Sequence, residues 1–436
     1  MTAQLGRCPI APFSSDALLS RELAVSPHTA LRTLQEEGAV HQVEDLPWYL
    51  VTRFQDCSQV LLNSGDFSSE HREFGPALAR IGLTPSPEIH ARMLEIGGAR
   101  AAMFDIVLHR DAPAHTRQRR LLNKALTAKF GQWDAFIAER TSRLLDALPE
   151  DRPFDWIDAL AAPLPIAVIS DILGMPDRDH ARVKQWSDHS SAVSGRRAGD
   201  QDWLNMATAM AEQRNFFATE LKKRLDRPTG DLVSALAAAT LQGADAETGD
   251  APLTFDEAVE MLVLVLIGGN ETTTQLLGGL AYIVASEPDL LDRIRADAAL
   301  INPVVEEALR ITTPITTMMR FCVNDAEVGG VKIPKGAIVS VCFNQANRDP
   351  AMFADPACFD PGRANVRRHL AFSTGIHLCP GAPLARAEAR MTLRLLAERF
   401  SKLSLSGDSP VRYEMASLAV RGMTGLDLRA TRITLG

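Results

Sequence analysis

Cysteine is scarce in this chain, and none of the cysteines is spaced to hold a metal cluster. The 436 residues include six cysteines, with no CxxC pair and no histidines at the spacing of a zinc site. This pattern argues against both a disulfide scaffold and a structural zinc site. Most of the thiols are expected to be small, buried, apolar side chains.

The chain also has no excess of basic residues and no long apolar run. Its formal net charge is -8, which argues against a general nucleic-acid binder, because such proteins need surplus Lys and Arg to neutralise phosphates. The longest apolar run, Met261 to Ile267, is too short to span a bilayer, and the N-terminal segment lacks the apolar core of a signal peptide. We therefore expect a soluble cytoplasmic protein without a membrane span or a nucleic-acid partner.

What the sequence does have is extensive helical periodicity. Apolar residues recur three and four positions apart in five segments: Gln132 to Leu148, Trp156 to Leu173, Asn205 to Leu225, Thr254 to Ala285 and Leu384 to Phe400. Strand patterns are fewer and lie towards the ends of the chain: Trp48 to Arg53, Arg320 to Val323, Val331 to Phe343 and a C-terminal segment. This distribution predicts a mostly α (α+β) fold, a helix-rich single domain with small β-sheets over residues 26–436, after an N-terminal extension of residues 1–25.

Two polar segments interrupt the helical pattern. Glu70 to Arg110 mixes proline, glycine, histidine and charged residues, and Asp188 to Asp202 is rich in serine and glycine. Both are predicted to be long surface loops. Long loops in compact domains are often lids or binding loops, although plain solvated connectors fit these compositions equally well.

A glycine-containing loop with one cysteine runs directly into a helix that begins near Ala382. The loop reads FSTGIHLCPG from Phe372 to Gly381. Free amides at a helix start, and the positive end of the helix dipole, lower a thiol pKa and favour the thiolate, which is the form that binds metals. A lone cysteine before a helix is, however, equally consistent with an inert buried thiol.

The spacing of this loop resembles the haem-binding motif of the cytochrome P-450 family, F-x-x-G-x-[HR]-x-C-x-G. Phe372, Gly375, His377, Cys379 and Gly381 occupy its defined positions. The resemblance, to the bacterial, soluble, ferredoxin-dependent type, implies the cytochrome P-450 fold and haem b with Cys379 as the axial thiolate. It also implies that Phe372 packs beside the sulfur and that His377 reaches a haem propionate.

Two residues of the loop depart from what is common in bacterial members of the family. Ser373 replaces a glycine and Pro380 replaces a leucine. Proline has no amide hydrogen, so Pro380 removes one donor that could have pointed toward the sulfur. We expect this change to affect the electronic tuning of the thiolate but not the ligation.

A second matching segment lies in the long predicted helix that opens with the capping box Thr254 to Glu257. Two glycines, Gly268 and Gly269, interrupt its apolar run and are followed by polar residues, which indicates a kink or a close ligand approach. The segment resembles the family motif [AG]-G-x-[DE]-T-T, which implies that Thr272 hydrogen-bonds dioxygen and that Glu271 relays protons. Bonding of the threonine hydroxyls to carbonyls one turn earlier is the alternative.

Two further matches concern charged residues. Glu307 and Arg310 fit the family's E-x-x-R signature, and Arg363 matches the arginine that completes a structural triad behind the cysteine loop. The resemblance also implies that four side chains bind the haem propionates: His115, Arg119, Arg320 and His377. Taken one at a time, these four are also compatible with solvated surface cations.

The implied reaction is monooxygenation, with hydroxylation as the expected outcome. Dioxygen supplies the oxygen atom, and the absence of a GxGxxG motif means that electrons come from outside, as from a ferredoxin and ferredoxin reductase. Six basic residues are candidates for a docking face for this partner: Arg117, Arg120, Lys124, Lys129, Arg367 and Arg368. A solvated surface explains these cations equally well.

The substrate is expected to be a hydrophobic small molecule, because the residues predicted to line the pocket are mostly apolar or small. These residues are Leu264, Val265, Gly268, Thr313, Ile315 and Thr316. Two other functions remain open at this point. A haem-thiolate peroxygenase would need no ferredoxin, and a non-catalytic ligand sensor would need no proton relay.

Overall fold

The computed structural model describes most of the chain. It covers residues 14–20, 27–44, 46–70, 78–79, 82–98, 107–127, 133–150, 152–241, 243, 249, 251–413 and 417–433. Most of the predicted N-terminal extension, residues 1–25, and the predicted docking residue Lys129 lie outside these ranges. Within the extension, Leu18 is buried in an apolar cluster together with Trp48 and Leu418.

Helices dominate the described residues. In chain order they are α1 (Ser15–Leu18), α2 (Pro27–Glu37), α3 (Phe54–Leu62), α4 (Pro87–Gly97), α5 (Ala114–Thr127), α6 (Trp133–Asp146), α7 (Pro163–Ile172), α8 (His180–Ser191), α9 (Asp200–Asp226), α10 (Leu232–Leu241), α11 (Phe255–Ser286), α12 (Leu290–Ala296), α13 (Ile301–Thr312), α14 (Phe343–Ala346) and α15 (Ala382–Arg399). The predicted helix-rich fold with small sheets is confirmed.

The strands form small sheets at the edge of the helical body. They are β1 (Val40–Gln42), β2 (Trp48–Val51), β3 (Phe67–Ser68), β4 (Phe154–Asp155), β5 (Thr317–Cys322), β6 (Ala326–Val328), β7 (Val331–Ile333), β8 (Ile338–Cys342), β9 (Phe400–Leu405), β10 (Val411–Tyr413) and β11 (Met423–Arg432). The largest described sheet has the order β1-β2-β8-β5-β3, with β2 and β8 parallel. This sheet places Arg320 of β5 opposite Val339 of β8.

The long helix α11 runs through the main apolar core. Its start matches the predicted capping box, because Thr254 Oγ1 accepts from the Glu257 amide at 3.1 Å and Glu257 Oε2 accepts from the Thr254 amide at 2.9 Å. The glycine pair does not end the helix. A Cβ on Gly269 would lie 2.9 Å from Ile169 Cδ1, so this glycine permits close packing of α7.

Both predicted long loops contain more helix than expected. The segment from Glu70 to Arg110 includes α4, which begins with Ser86 as its N-cap and Pro87 in its first turn. Pro at the first helical position after a serine cap is a normal helix start, and the prediction of a loop there was wrong. In the second segment α8 continues to Ser191 and α9 begins at Asp200, so the connection is much shorter than predicted.

Candidate active site

The cysteine loop is fixed by the backbone at both of its ends. The Cys379 amide donates to the Phe372 carbonyl at 2.9 Å. Gly375 has a φ of +70°, and a Cβ at this position would lie 2.9 Å from the Leu61 carbonyl oxygen. Only glycine fits this backbone without strain. The loop is therefore held against α3 while the Cys379 sulfur lies at the start of α15.

The surroundings of the Cys379 sulfur shift the pKa of the thiol in two opposite directions. Burial raises the pKa of the Cys379 thiol, while the amides of Gly381 and Ala382 and the charge of Arg119 lower it. In the protein without haem, burial outweighs this effect of the helix start, so the net shift of the Cys379 pKa is upward. The amides act as expected, and a metal cation at the sulfur would add the missing stabilisation of the thiolate.

Behind the loop, the side chains of the predicted triad are in contact. Glu307 and Arg310 are fully buried and form a bidentate pair with two distances of 2.7 Å. Arg363 Nε donates to Glu307 Oε1 at 3.0 Å. Arg310 also donates to the carbonyls of Asn347 and Pro356 at 2.9 and 2.8 Å. Every charge of the triad therefore has partners within the protein.

The four predicted propionate ligands include a close group of cationic or protonatable side chains. The rings of His115 and His377 lie 4.4 Å apart between centroids. His115 is buried, and both of its ring nitrogens are without a hydrogen-bond partner among the described residues. His377 Nε2 is 2.9 Å from Ser69 Oγ. Arg119 donates to the Leu378 carbonyl, which places it beside the cysteine loop.

The lowered pKa values of these side chains indicate that the described residues place little negative charge near them. Burial lowers the pKa of Arg320 to about 10, against an opposing effect of Asp111. Burial, followed by the charges of Arg320, His115 and Arg119, lowers the pKa of His377 to about 3. The pKa of His115 is also lowered, first by burial and then by Arg119. The group would be stabilised by an anion from outside the protein.

The middle of α11 is open on one side although most of the helix is buried. Gly268 is exposed, and a Cβ placed there would meet nothing within 4 Å. Leu264 and Val265, one turn earlier, are partly exposed. Thr272 Oγ1 donates to the Gly268 carbonyl at 2.8 Å, which is the back-bonded arrangement considered as an alternative. The hydroxyl oxygen remains an acceptor.

Glu271 lies next to Thr272 but lines a different space. It is partly buried and borders a polar cavity of 410 Å³ that also includes Asn270, Lys184 and Arg196. Of the predicted pair, Glu271 thus borders this cavity, and Thr272 is bonded to the carbonyl of the exposed Gly268.

The predicted substrate contacts divide into two sets. Ile315 is partly exposed and bridges to Val420. Thr313 is fully buried, donates to the Arg310 carbonyl at 2.7 Å and accepts from Asn347. Thr316 is buried and donates to the Leu418 carbonyl at 2.5 Å. Both hydroxyls are buried and hydrogen-bonded within the protein. Thr313 and Thr316 therefore do not line the pocket, contrary to the prediction.

The predicted basic docking residues also fall into two groups, one that pairs within the protein and one that is exposed. Arg117 forms a salt bridge with Glu257 and donates to the Pro252 carbonyl at 3.0 Å, so it belongs to the contact between α5 and the start of α11. The prediction that Arg117 contributes to a docking face was therefore wrong. Arg367, Arg368 and Lys124 are exposed, while Arg120 is only partly exposed.

One buried ionic cluster was missed in the sequence. Glu306, which precedes Glu307, pairs with Arg386 of α15 at 2.7 and 2.9 Å and with His369 at 3.1 Å. Its three members are distant in sequence, and the only signal was a second carboxylate on the buried face of α13. The cluster lies beside the cysteine loop, as does a surface groove of 630 Å³ lined by His369, Phe372 and Arg386.

Comparison with known proteins agrees with this geometry. The family model described as Cytochrome P450 matches residues 85–423. The cytochrome P450 monooxygenase PikC of Streptomyces venezuelae is 31% identical, over 98% of this chain and 97% of that protein. The 6-deoxyerythronolide B hydroxylase of Saccharopolyspora erythraea is 35% identical, over 73% of this chain and 76% of that protein.

A solved structure supports the same likeness at the level of the fold. Cytochrome P450 CYP109Q5 from Chondromyces apiculatus superposes with a TM-score of 0.80 at 29% identity, covering 95% of this chain and 98% of that one. In the part of the chain that the structure describes, no helix combines the length and the apolar character needed to cross a bilayer.

Proposed function

This chain belongs to the cytochrome P450 family of monooxygenases, and from that premise we propose that it binds haem b through Cys379 and hydroxylates a hydrophobic small molecule. The family implies a haem-thiolate iron cofactor, a small-molecule substrate, dioxygen and a redox partner. A ferredoxin, reduced by its own reductase, is the electron donor that we propose.

The main support is the group of buried cationic side chains near the cysteine loop. Arg320 forms no salt bridge with a carboxylate of the described residues, and its bond at 2.8 Å goes to the Met319 carbonyl. His115 has two ring nitrogens without a hydrogen-bond partner among the described residues. A haem carries two propionates, and planar guanidinium and imidazole groups are suited to carboxylates. These residues fit that cofactor.

The other parts of the site also fit a flat cofactor with one protein ligand. The cysteine loop offers one thiol at the start of α15, with Gly381 close to the sulfur, since a Cβ there would lie 3.8 Å from it. Open space also lies beside Gly268, since a Cβ placed there would meet nothing within 4 Å. When bound, a thiolate-ligated haem iron supplies activated oxygen that can be inserted into an unactivated C–H bond.

We propose that Thr272 and Glu271 carry the proton transfers. The Thr272 hydroxyl is held by the Gly268 carbonyl, so its oxygen is presented as an acceptor at a fixed position. Glu271 borders the polar cavity of 410 Å³, from which water can supply protons. A positioned carboxylate beside a positioned hydroxyl is a suitable pair for general acid catalysis.

The substrate pocket that we propose is formed by Leu264, Val265, Gly268 and Ile315. Leu264 and Val265 have apolar, partly exposed side chains on the open side of α11, and Ile315 is a partly exposed apolar residue between α13 and β5. Such a surface selects a hydrophobic molecule through burial of apolar area and not through hydrogen bonds. Because a relative is named as a 6-deoxyerythronolide B hydroxylase, macrolide precursors belong in the first substrate screen.

The electron donor is proposed to bind at the groove of 630 Å³ beside the cysteine loop. Arg367 and Arg368 line this groove, and both are exposed. Leu378, next to Cys379, is 51% exposed, and Leu62 on the other wall is 65% exposed. Cations around apolar residues favour an acidic protein partner, and such pairing raises the association rate at low salt.

Turnover in isotopically labelled dioxygen tests the proposed function. With a ferredoxin, its reductase and a screened substrate, one labelled oxygen atom should enter the product, and omission of the ferredoxin should stop the reaction. Product formed from peroxide alone, at a rate equal to the complete system, would instead support a peroxygenase. Substrate binding that shifts the Soret band without any product would support a ligand sensor.

A further inference from the structure

A buried ionic cluster joins the two ends of the cysteine loop, separately from the Glu307 triad. His369 lies three residues before Phe372, and Arg386 lies seven residues after Cys379. Both side chains bind the same carboxylate, Glu306. Consecutive residues of a helix point about 100° apart, so Glu306 and Glu307 of α13 serve different partners.

The contact between Glu306 and Arg386 has the geometry of a strong ion pair. Arg386 Nε and Nη2 donate to the two carboxylate oxygens at 2.7 and 2.9 Å. Glu306 is 6% exposed. Burial raises the pKa of Glu306, but the hydrogen bonds from His369 and Arg386 outweigh this and lower the pKa to about 2. The carboxylate is therefore charged under all ordinary conditions.

His369 adds a hydrogen bond to the same carboxylate. Its Nδ1 accepts from the Ala371 amide at 3.3 Å, so this nitrogen carries a lone pair and not a proton. The ring proton then belongs on Nε2, which lies 3.1 Å from Glu306 Oε2. The ion pair of the cluster is formed by Glu306 and Arg386, and the His369 hydrogen bond supports the same carboxylate.

The cluster also contacts the aromatic residue that opens the loop. The guanidinium carbon of Arg386 lies 4.5 Å from the centre of the Phe372 ring, and the His369 ring centre lies 6.1 Å from it. Phe372 in turn accepts the Cys379 amide through its carbonyl. A cation stacked on this ring restricts its orientation.

We propose that Glu306 and Arg386 are positioning residues that tie the two ends of the Cys379 loop and fix the electrostatic surroundings of the thiolate. This inference rests on the proposed function, because it assigns these residues a role toward a haem ligand. While both are present, the negative charge of Glu306 compensates part of the positive charge of Arg386 in the surroundings of the loop. Loss of Glu306 leaves the partly exposed Arg386 uncompensated, and loss of Arg386 leaves the buried Glu306 uncompensated. Either charge then acts on a neighbouring redox centre.

The reduction potential of the holoenzyme tests the charge pair. Glu306→Gln leaves Arg386 unpaired, which favours the reduced form and should raise the potential. Arg386→Met leaves Glu306 unpaired and should lower it. The double variant should return close to the wild-type value. Arg394→Met is the matched control, because Arg394 lies on the same helix in an exposed pair with Glu398 and should leave the potential unchanged.

A role in packing alone predicts a different pattern, in which every variant shifts the potential in the same direction or none does. Either result would overturn the proposal. The double variant buries no unpaired charge, so it keeps the test decisive if a single variant does not fold with haem. Its red-shifted reduced carbonyl band should decay several-fold faster than that of the wild type, because the loop ends are no longer tied, and a wild-type rate would also overturn the proposal.

Failure of this inference is distinguishable from failure of the proposed function. A wild-type protein without the red-shifted reduced carbonyl band would contradict haem-thiolate ligation itself. A wild type with that band, combined with unshifted potentials in both single variants, would leave the proposed function intact and remove only the role of Glu306 and Arg386.

Discussion

The two sides of the candidate haem site differ in how their buried charges are neutralised. On the side of the cysteine loop, Glu307 and Glu306 each have two or more partners within hydrogen-bond distance. On the propionate side, Arg320 and His115 are buried without a carboxylate bonded to them among the described residues. On the side of the cysteine loop, the protein itself compensates the buried charges. On the propionate side, the buried cationic or protonatable groups are suited to an anion from outside the protein.

This difference separates what stabilises the fold from what binds the cofactor. A buried ion pair is strongly destabilising when one partner is removed, because the other charge remains in a medium of low dielectric constant. Removal of a buried cation that has no partner should instead stabilise the fold or leave its stability unchanged, because the cost of desolvating that charge is relieved. Substitutions on the side of the cysteine loop should therefore mainly lower the free energy of unfolding. Substitutions on the propionate side should mainly lower the affinity for haem.

The largest effect is expected at Glu307. Glu307→Gln leaves Arg310 buried with its charge uncompensated, and we expect a loss of about 3–5 kcal/mol in the free energy of unfolding. Denaturant titration of the apoprotein measures it. Glu36→Gln is the control, because Glu36 forms a pair with Arg32 that is 70% exposed on both sides, and it should change the free energy by less than about 0.5 kcal/mol. Equal effects of the two substitutions would contradict the distinction.

The next effect is expected at Arg320, with the opposite signature. Arg320→Met should leave the unfolding free energy of the apoprotein unchanged or higher, while the affinity for haem falls by about 2 kcal/mol, or about thirtyfold. Haem transfer to an acceptor protein measures the affinity. Arg412, which is 44% exposed in its pairs with Asp155 and Asp427, provides the control Arg412→Met with unchanged haem affinity. A destabilised apoprotein with unchanged haem affinity would show that Arg320 is structural.

A smaller effect is expected at Thr272, measured in coupling and not in stability. Thr272→Ala should lower the product formed per electron consumed by roughly tenfold, since water replaces the missing hydroxyl only poorly. Thr208→Ala is the matched control, because Thr208 of α9 makes the same type of bond to a carbonyl one turn earlier, at 2.9 Å, and does not line the cavity that Glu271 borders. Unchanged coupling in Thr272→Ala would exclude its proposed role.

The smallest effect is a pH dependence that should appear only in the apoprotein. The pKa of His115 is lowered in the folded state from its ordinary value of 6.5, so the unfolded chain binds the proton first as the pH falls. Stability should then decrease below pH 6.5, with a slope of at most about 1.4 kcal/mol per pH unit from this residue. His115→Gln should reduce the slope, and identical slopes in both proteins would contradict the assignment.

The residues of the cysteine loop, and Glu307 with Arg310, could be placed from the sequence because short motifs with fixed spacing carry the family resemblance, and Arg363 was placed by the same resemblance. Gly375 needs a positive φ, and E-x-x-R puts two side chains one turn apart on α13. The helix from Pro87 to Gly97 was missed because its start signals, Ser86 and Pro87, stand in a composition rich in loop residues.

Ion pairs between residues that are far apart in the sequence could not be predicted. Arg117 was expected at the surface but binds Glu257, and Glu306 selects His369 and Arg386 from remote segments. The direction of the Cys379 pKa also depends on burial, which the loop sequence does not specify. In each case the tertiary packing decides the outcome, and local propensity carries no information on it.

The spectrum of the reduced carbonyl complex most directly tests the central claim that Cys379 is the thiolate ligand of a bound haem. The wild type should show the red-shifted Soret band. Cys379→Ala should lose that band, while Cys358→Ala, at an exposed thiol outside the loop, should retain it. A red-shifted band that persists in Cys379→Ala would contradict the claim.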